Sequence, residues 1–360
     1  MVPELTVVVP TFNERANISI LVDRLAGLLT EIEWEIIFVD DDSPDDTAAL
    51  AKSIGELDSR VRCIRRVVRR GLAGACIEGM LASNARYVAV MDADLQHDEA
   101  LLLLMLQELR AEKCDLTIGS RYVAEGSAQG LSRKRLASSR LAGMLTRRLL
   151  GVEVTDPMSG FFMLRRGVLD KIAYRLSTQG FKILADILAS ARGEIRVHEI
   201  AYTFRPRLHG ISKFDSQIAV DFLGLLVTKL TGNAVPVRFV SFLLVGALGV
   251  FVHLAALKFS LSVLLLEFLA AQTLATVTAM TSNFFLNNTL TYRDQRLTGT
   301  SALKGLLLFY VICAIGALSN IGVATWLYSS QPVWWLAGLL GSVVGAVWNY
   351  ALSSTLVWRR

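Results

Sequence analysis

The first half of the chain alternates short apolar runs with amphipathic segments. Strands are predicted at Leu5–Val9, Glu35–Val39, Val61–Arg65, Tyr87–Met91 and Leu116–Ile118. Helical spacing of apolar residues is found at Asn17–Leu29, Thr47–Ile54, Ala73–Ser83 and Glu99–Lys113. Strands that alternate with helices of about 10–15 residues predict a parallel, doubly wound α/β sheet.

Acidic residues follow two of these predicted strands. Asp40–Asp42 comes directly after the second strand, and Asp92-Ala93-Asp94 comes directly after the fourth. Ligands of doubly wound sheets collect at the carboxyl ends of the strands. The two acidic segments therefore mark the predicted site.

The second half of the chain is dominated by four long apolar runs. They are Val237–Phe259, Leu264–Leu290, Lys304–Tyr328 and Val333–Trp358. Each is long enough to cross a hydrocarbon core of about 30 Å at about 1.5 Å per residue. A soluble helical bundle would need charged outer faces, which these runs lack. The pattern predicts an all-α membrane bundle of four spans.

A shorter apolar segment, Ala219–Leu230, precedes the spans. It carries Asp221 and Lys229 near its ends and is too short to cross a bilayer. It is interpreted as an amphipathic helix on the membrane surface, with a plain buried helix as the alternative. The predicted division is a catalytic domain at 1–215, an interfacial helix and linker at 216–235, and a membrane domain at 236–360.

Basic residues flank the spans on one side only. The loops near 260–263 and 329–332 contain no Lys or Arg, whereas the other flanks carry Arg238, Arg293, Arg296, Lys304, Arg359 and Arg360. The positive-inside rule then places both the first domain and the C-terminus in the cytoplasm. The chain also opens directly on a predicted strand, without a signal peptide.

Composition narrows the range of partners. Hydrophobic residues make up 53% of the 360 residues, and the net charge is +5. Lys and Arg cluster between 121 and 148 and beside the apolar runs, without interleaved aromatic residues. This pattern suits phosphates and anionic lipid headgroups, and no nucleic-acid partner is predicted. The four cysteines show no CxxC spacing and are interpreted as reduced core thiols.

The Asp92-Ala93-Asp94 triplet is the main candidate for chemistry. When a nucleotide sugar transfers its sugar, the leaving group is a nucleoside diphosphate. A hard cation held by carboxylates can stabilise the negative charge of that leaving group. Gln96 lies close enough to add an oxygen ligand. Such triplets are frequent by chance, so the evidence lies in its position at a strand end beside a second acidic strand end.

Seven segments of the first half carry a family resemblance. They are Pro10–Glu14, Val39–Thr47, Met91–His97, Gly119–Tyr122, Asp156–Phe162, Gly180–Leu184 and Arg207–Lys213. Together they resemble glycosyltransferase family 2, which has the GT-A fold, a Rossmann-like and mostly parallel sheet, and the resemblance covers residues 5 to about 215. Within the family the chain is most similar to the dolichol-phosphate mannose synthases, because of the Asp-Ser-Pro-Asp form and of Arg70–Ala73.

The resemblance implies roles for particular positions on the donor side. The pocket for base and ribose would be lined by Pro10, Phe12, Glu14, Val39 and Asp41. The family commonly has Tyr where this chain has Phe12, which puts a hydroxyl contact in doubt.

The diphosphate and sugar would meet Asp92, Ala93 and Asp94. A Mg²⁺ or Mn²⁺ ion would be held by Asp94 and Gln96. Asp92, Asp94 and Arg121 are the predicted catalytic residues.

Further basic residues are implied around the phosphates. The donor phosphates would be gripped by Lys182, Arg207 and Lys213, although a solvated basic loop is the alternative for the last two. Arg121 would bridge donor and acceptor phosphates. The lipid phosphate would be held by Arg121, Arg135 and Ser139.

The membrane half resembles the GtrA-like proteins. The residues concerned lie in Arg238–Gly246, Asn283–Tyr292 and Asn349–Trp358. Some of these proteins are thought to help move a lipid-linked sugar across the membrane. A simple anchor and interhelical packing of the asparagines are the alternatives.

The sequence therefore predicts a membrane-bound, inverting hexosyltransferase. The favoured reaction moves mannose from GDP-mannose to polyprenyl or dolichyl phosphate at the cytoplasmic face. One alternative is the same reaction with UDP-glucose or another nucleotide sugar, and another is a flippase whose cytoplasmic domain only binds. A processive polysaccharide synthase is disfavoured because no Gln-x-x-Arg-Trp motif follows the catalytic segments.

Overall fold

The computed structural model falls into two compact units, Met1–Ala234 and Val235–Arg360. The side chains at 217–223, 294, 319–325 and 327–342 lie outside the description. The structure describes residues 2–67, 71–123, 143–144, 146–148, 153–177, 183–191, 193–205, 217–232, 234–330 and 334–358.

The first unit is built on a seven-stranded sheet with the order β3-β2-β1-β4-β6-β5-β7. β6 runs antiparallel to both of its neighbours, and the other pairs are parallel. The predicted GT-A-like, mostly parallel α/β fold is thus confirmed. The strands are β1 Leu5–Thr11, β2 Trp34–Asp40, β3 Val61–Arg65, β4 Tyr87–Val90, β5 Leu116–Ser120, β6 Phe162–Arg165 and β7 Val197–Ala201.

Helices cover both faces of this sheet. All seven residues of β1 and of β2 are buried, because apolar clusters pack on both faces of the strands. One cluster lies under α1 and α4, and the other under α3, α5 and α6. The helices are α1 Arg15–Leu28, α2 Thr47–Leu57, α3 Leu72–Ala82, α4 Leu101–Arg110, α5 Arg166–Ile172, α6 Ile183–Ala191 and α7 Gln217–Leu230.

A buried ion pair fastens α7 to α6. The Lys229 ammonium lies 2.5 Å from Asp186 Oδ1, and the two side chains are only 6% and 2% exposed. The same ammonium donates to the Arg175 carbonyl at 2.7 Å and to Ser190 Oγ at 2.9 Å. The helix predicted at Ala219–Leu230 is thus present, and its place on a membrane surface stays a prediction.

The second unit consists of α8 Val237–Ser262, α9 Phe268–Leu286, α10 Gly299–Ser330 and α11 Trp334–Leu352. In the described part of the chain, Val237–Ser262 and Gly299–Leu318 are long and apolar enough to cross a membrane. The predicted count of four spans stays a prediction.

The second unit contains one hairpin pattern twice, as α8–α9 and as α10–α11. The second helix of each hairpin continues into a π-helical turn, at Asn287–Thr291 and at Ser353–Val357. Asn283–Tyr292 and Asn349–Trp358 align without a gap. The identical pairs are Asn283 with Asn349, Leu286 with Leu352, Thr289 with Thr355, and Leu290 with Leu356.

Equivalent contacts hold the two hairpins. In each hairpin an asparagine amide lies against a glycine of the partner helix, Asn283 against Gly249 and Asn349 against Gly316, so closely that a Cβ there would overlap the amide. The Tyr292 and Trp358 rings, which occupy equivalent positions, stack with their centroids 4.2 Å apart. The two π-helical turns therefore meet on one side of the unit.

Candidate active site

The predicted acidic segments meet at one edge of the sheet. Thr11 pairs with Asp40 in the parallel β1–β2 register, and the Asp41 N–H donates to the Thr11 carbonyl at 3.0 Å. The Met91 N–H donates to the Val8 carbonyl, so β4 also ends beside β1. The loops after β1, β2 and β4 are adjacent as a result.

Several residues in these loops adopt the left-handed backbone conformation. Asn13, Asp42, Asp46 and Leu95 have φ between 58° and 63°. This region is sparsely populated by residues other than glycine, and for a branched residue such as Leu it costs free energy. The concentration of such residues at one sheet edge fits a site whose loop conformations are fixed by function.

Asp40 organises the loop that follows β2. Its carboxylate is buried and accepts hydrogen bonds from Thr11 Oγ1 at 3.0 Å, from the Ser43 N–H at 2.9 Å and from Ser43 Oγ at 2.5 Å. These bonds hold the Asp40 carboxylate within the protein and fix the start of the loop.

Asp41, predicted to contact the base and ribose, has two partners in the protein. Arg66 Nη1 donates to Asp41 Oδ1 at 2.5 Å, and the Gly71 N–H donates to Asp41 Oδ2 at 2.6 Å. Burial raises the pKa of Asp41, against the lowering effect of Gly71 and Arg66. Arg66 is not predicted as a site residue, because its position 25 residues after Asp41 gives no local sequence signal.

The remaining residues predicted for the base pocket lie in the same region. Pro10 and Val39 are buried in β1 and β2, whereas Phe12 and Glu14 are half-buried. Asn17 Nδ2 donates to Glu14 Oε2 at 2.8 Å, and the Glu14 N–H donates to Thr47 Oγ1. Their contact with a base stays a prediction.

Asp94 and Gln96 fit a hard divalent cation. Both are buried, as is Ala93, and the Gln96 N–H donates to Asp94 Oδ1 at 3.2 Å. Gln96 Nε2 donates to the Arg205 carbonyl at 2.7 Å, which fixes the amide and leaves its oxygen as the acceptor end. Oxygen donors of this kind suit Mg²⁺ or Mn²⁺.

No group of three His, Cys, Asp or Glu residues gathers around a common point within the described ranges. Two protein ligands suffice where substrate phosphates and water complete the shell of a Mg²⁺ ion. The pair therefore fits an ion that binds together with a diphosphate.

Asp92 differs from Asp94 in its exposure. Its side chain is 37% exposed, and His97 Nε2 lies 3.4 Å from Asp92 Oδ2. His97 is the last residue of the family segment Met91–His97, but the resemblance implies no role for it. Asp92 is therefore the more accessible of the two acids, because Asp94 is buried.

Arg121, the third predicted catalytic residue, is held by Asp156. Arg121 Nε and Nη2 donate to the two oxygens of Asp156 at 2.7 Å and 2.8 Å. Burial by itself lowers the pKa of Arg121, but the hydrogen bonds and charge of Asp156 outweigh it and hold the pKa above its ordinary value. Asp156 was missed as a site residue, although it opens one of the family segments.

The other predicted binding residues lie outside the described part of the chain. They are Lys182, Arg207 and Lys213 for the donor, and Arg135 and Ser139 for the acceptor. Their roles stay predictions.

Comparison with known families and proteins covers both units. Residues 6–173 match the family described as Glycosyl transferase family 2, and residues 241–358 match GtrA/DPMS, transmembrane domain. The chain is 31% identical over 360 residues to the dolichol-phosphate mannosyltransferase of Pyrococcus furiosus, covering 99% of each chain.

Other relatives match over part of the chain. The dolichol-phosphate mannosyltransferase of Saccharomyces cerevisiae is 33% identical over 61% of this chain and 84% of its own. The polyprenol monophosphomannose synthase of Mycolicibacterium smegmatis is 35% identical over 58% of this chain and 79% of its own. A solved glucosyl-3-phosphoglycerate synthase from Mycobacterium tuberculosis is 21% identical, with a TM-score of 0.48, and covers 64% of this chain and 80% of that one.

Proposed function

Since this chain belongs to glycosyltransferase family 2 and is a membrane glycosyltransferase, we propose that it moves mannose from GDP-mannose to polyprenyl or dolichyl phosphate. The observation that carries the proposal is the geometry of the loop after β4, where the Asp92 side chain is 37% exposed and Asp94 and Gln96 are buried together. The full-length similarity to a dolichol-phosphate mannosyltransferase supports the sugar and the lipid acceptor.

Each side of the reaction has its own group of residues. Asp94 and Gln96 would hold Mg²⁺ or Mn²⁺, which supplies positive charge to the departing diphosphate. Asp92 meets the sugar and the donor, and Pro10, Phe12, Glu14, Val39 and Asp41 form the pocket for the base and ribose. The diphosphate and sugar of the donor are also contacted by Ala93, Lys182, Arg207 and Lys213.

The acceptor needs no general base. A phosphate oxygen of the lipid is already anionic at pH 7 and can attack the anomeric carbon directly, opposite the leaving diphosphate, which inverts that carbon. Like-charged phosphates must then approach each other, so cations are needed between them. Arg121 serves as the bridging cation, with Arg135 and Ser139 at the lipid phosphate.

We place this reaction at the cytoplasmic face of the membrane, with four spans anchoring the enzyme. The uneven distribution of Lys and Arg around the apolar runs supports this orientation. The lipid acceptor then reaches the catalytic unit from the bilayer itself.

The test is a transfer assay with purified full-length protein in vesicles that contain polyprenyl phosphate. Radiolabelled GDP-mannose, UDP-glucose and other nucleotide sugars are supplied in turn, with Mg²⁺ or Mn²⁺. Lipid-linked mannose from GDP-mannose is expected, and chelation should abolish it.

Asp94→Asn should lower turnover by at least about 100-fold, because an interaction with developing charge is typically worth about 3 kcal/mol or more. The matched control is Asp115→Asn, at the opposite end of the sheet, which should leave turnover unchanged. A product formed only from another donor would contradict the mannose assignment, and full activity of Asp94→Asn would contradict the metal site.

A further inference from the structure

His97 lies next to Asp92, within a buried cluster of aromatic rings. It is 1% exposed, and the ring centroids of Phe161, Tyr202 and Phe204 lie 5.0, 5.8 and 5.5 Å from its own. In this cluster both ring nitrogens face polar atoms.

The two nitrogens connect Tyr202 with Asp92. His97 Nδ1 lies 3.0 Å from the Tyr202 hydroxyl, and Nε2 lies 3.4 Å from Asp92 Oδ2. Burial raises the pKa of Tyr202, so its hydroxyl keeps its proton and can donate to Nδ1. A neutral imidazole that accepts at Nδ1 carries its proton at Nε2, where it can donate to Asp92.

Gly160 also approaches the same carboxylate oxygen. A Cβ at position 160 would lie 2.9 Å from Asp92 Oδ2, which is closer than real Cβ atoms approach. Only a glycine therefore leaves room for Asp92 Oδ2 in this position beside the imidazole, while the Asp92 side chain stays 37% exposed.

We propose that His97 is a positioning residue, which, together with Tyr202 and Gly160, fixes the Asp92 carboxylate in the orientation that meets the donor sugar. This proposal rests on the proposed function and deepens it. The contacts of Asp92 with its substrate are then set by groups that never touch the substrate. Such supporting hydrogen bonds hold a functional group within the narrow range of angles that chemistry requires.

The experiment measures kcat and the donor KM of the full-length enzyme in polyprenyl phosphate vesicles. His97→Phe keeps a buried ring and removes both nitrogens, whereas His97→Gln keeps an amide N–H that can reach Asp92. Tyr202→Phe removes only the hydroxyl. We expect kcat to fall by about 10–100-fold in His97→Phe, and by less in the other two variants.

The donor KM should change by less than about threefold, because His97 is proposed to contact Asp92 and not the donor. The Kd for Mn²⁺ in the presence of GDP should also change by less than about threefold, because His97 is not proposed to contact the metal. The double variant His97→Phe/Tyr202→Phe should be no slower than His97→Phe, since both changes break one chain of hydrogen bonds. His198, which is exposed on β7, gives the matched control His198→Gln, expected to have wild-type kinetics.

Three outcomes would overturn the proposal. They are wild-type kcat in His97→Phe, wild-type kcat in Tyr202→Phe, and a fall in kcat matched by a lower melting temperature that His97→Gln does not relieve. If His97→Phe does not fold, Tyr202→Phe decides the matter. The proposed function is judged separately on the wild-type enzyme, because the variants are compared with it on whichever donor it uses.

Discussion

Arg121 donates three hydrogen bonds to Asp156, two from its guanidinium and one from its backbone N–H, so each of the two charges is balanced by the other. The Arg121 side chain is 10% exposed and that of Asp156 is not exposed at all. Asp156 is oriented in turn by its own backbone, because its N–H and that of Thr155 donate to the Glu199 carboxylate. Arg121, which is predicted to bridge the phosphates, is therefore positioned by Asp156, and Asp156 is positioned in turn by Glu199.

Replacing Asp156 by Asn tests this arrangement. The change leaves Arg121 buried without its countercharge, which should lower the free energy of unfolding by about 3 kcal/mol. Asp170→Asn is the control, because Asp170 forms an exposed i,i+4 pair with Arg166 that is worth less than about 0.5 kcal/mol. Thermal unfolding of the purified proteins measures both, and equal stability of the two variants would contradict the prediction.

The reactivity of the Cys63 thiol should depend on pH. Burial, with a smaller contribution from the charge of Asp40, raises its pKa to about 11. Since the thiolate is the reactive form, alkylation of Cys63 should be slow at pH 7.5 and should rise steeply only above about pH 10. The Cys63 thiol ionises near pH 9.0 in the unfolded chain and near pH 11 in the folded protein. Because the unfolded state therefore loses this proton first, the free energy of unfolding decreases as the pH rises above about 9. Mass spectrometry of alkylated peptides across pH measures the rate, and rapid labelling at pH 7.5 would refute the assignment.

At the scale of residues, the sequence predicted the position of the acidic loop after β4 better than the partners of its side chains. Asp92, Asp94 and Gln96 could be placed because they follow a strand directly. Arg66 and Tyr202 could not, because contacts over 25 and 105 residues leave no trace in spacing.

At the scale of elements, the parallel strands were predictable because burial on both faces makes them continuous apolar runs. β6 and β7 were not predicted. β6 has only four residues and runs against its neighbours, between β4 and β5. Its place depends on pairing across the sheet, which a pattern along the chain does not encode.

The glycines of α8 give a matched pair for testing the hairpin contacts. A Cβ at Gly249 would overlap the Asn283 amide, whereas nothing lies within 4 Å of a Cβ at Gly246. Gly249→Ala should therefore lower the melting temperature of the membrane unit in detergent, by overpacking that costs about 1–3 kcal/mol. Gly246→Ala, on the same helix, should be neutral or slightly stabilising. Equal melting temperatures for the two variants would show that the glycine–asparagine contact is not tight.

At the scale of the whole molecule, the catalytic unit and the membrane unit are separately compact. The orientation proposed from the basic flanks can be measured with single cysteines. Leu264→Cys lies in the loop between α8 and α9, and Thr298→Cys lies in the loop before α10, and both positions are exposed. A maleimide that cannot cross membranes, added to intact cells, should label position 264 and spare position 298. The reverse labelling would place the catalytic unit on the other side.

The repeated hairpin has a consequence for how the membrane unit is made. The first hairpin contains both members of its own glycine–asparagine contact, so it is complete as soon as its second helix has been synthesised. The second hairpin brings the same contact and adds Trp358, whose indole N–H donates to Asn288 of the first at 3.0 Å. Each helical pair can thus form its own internal contact before the other is complete, and the Trp358 ring then joins the two.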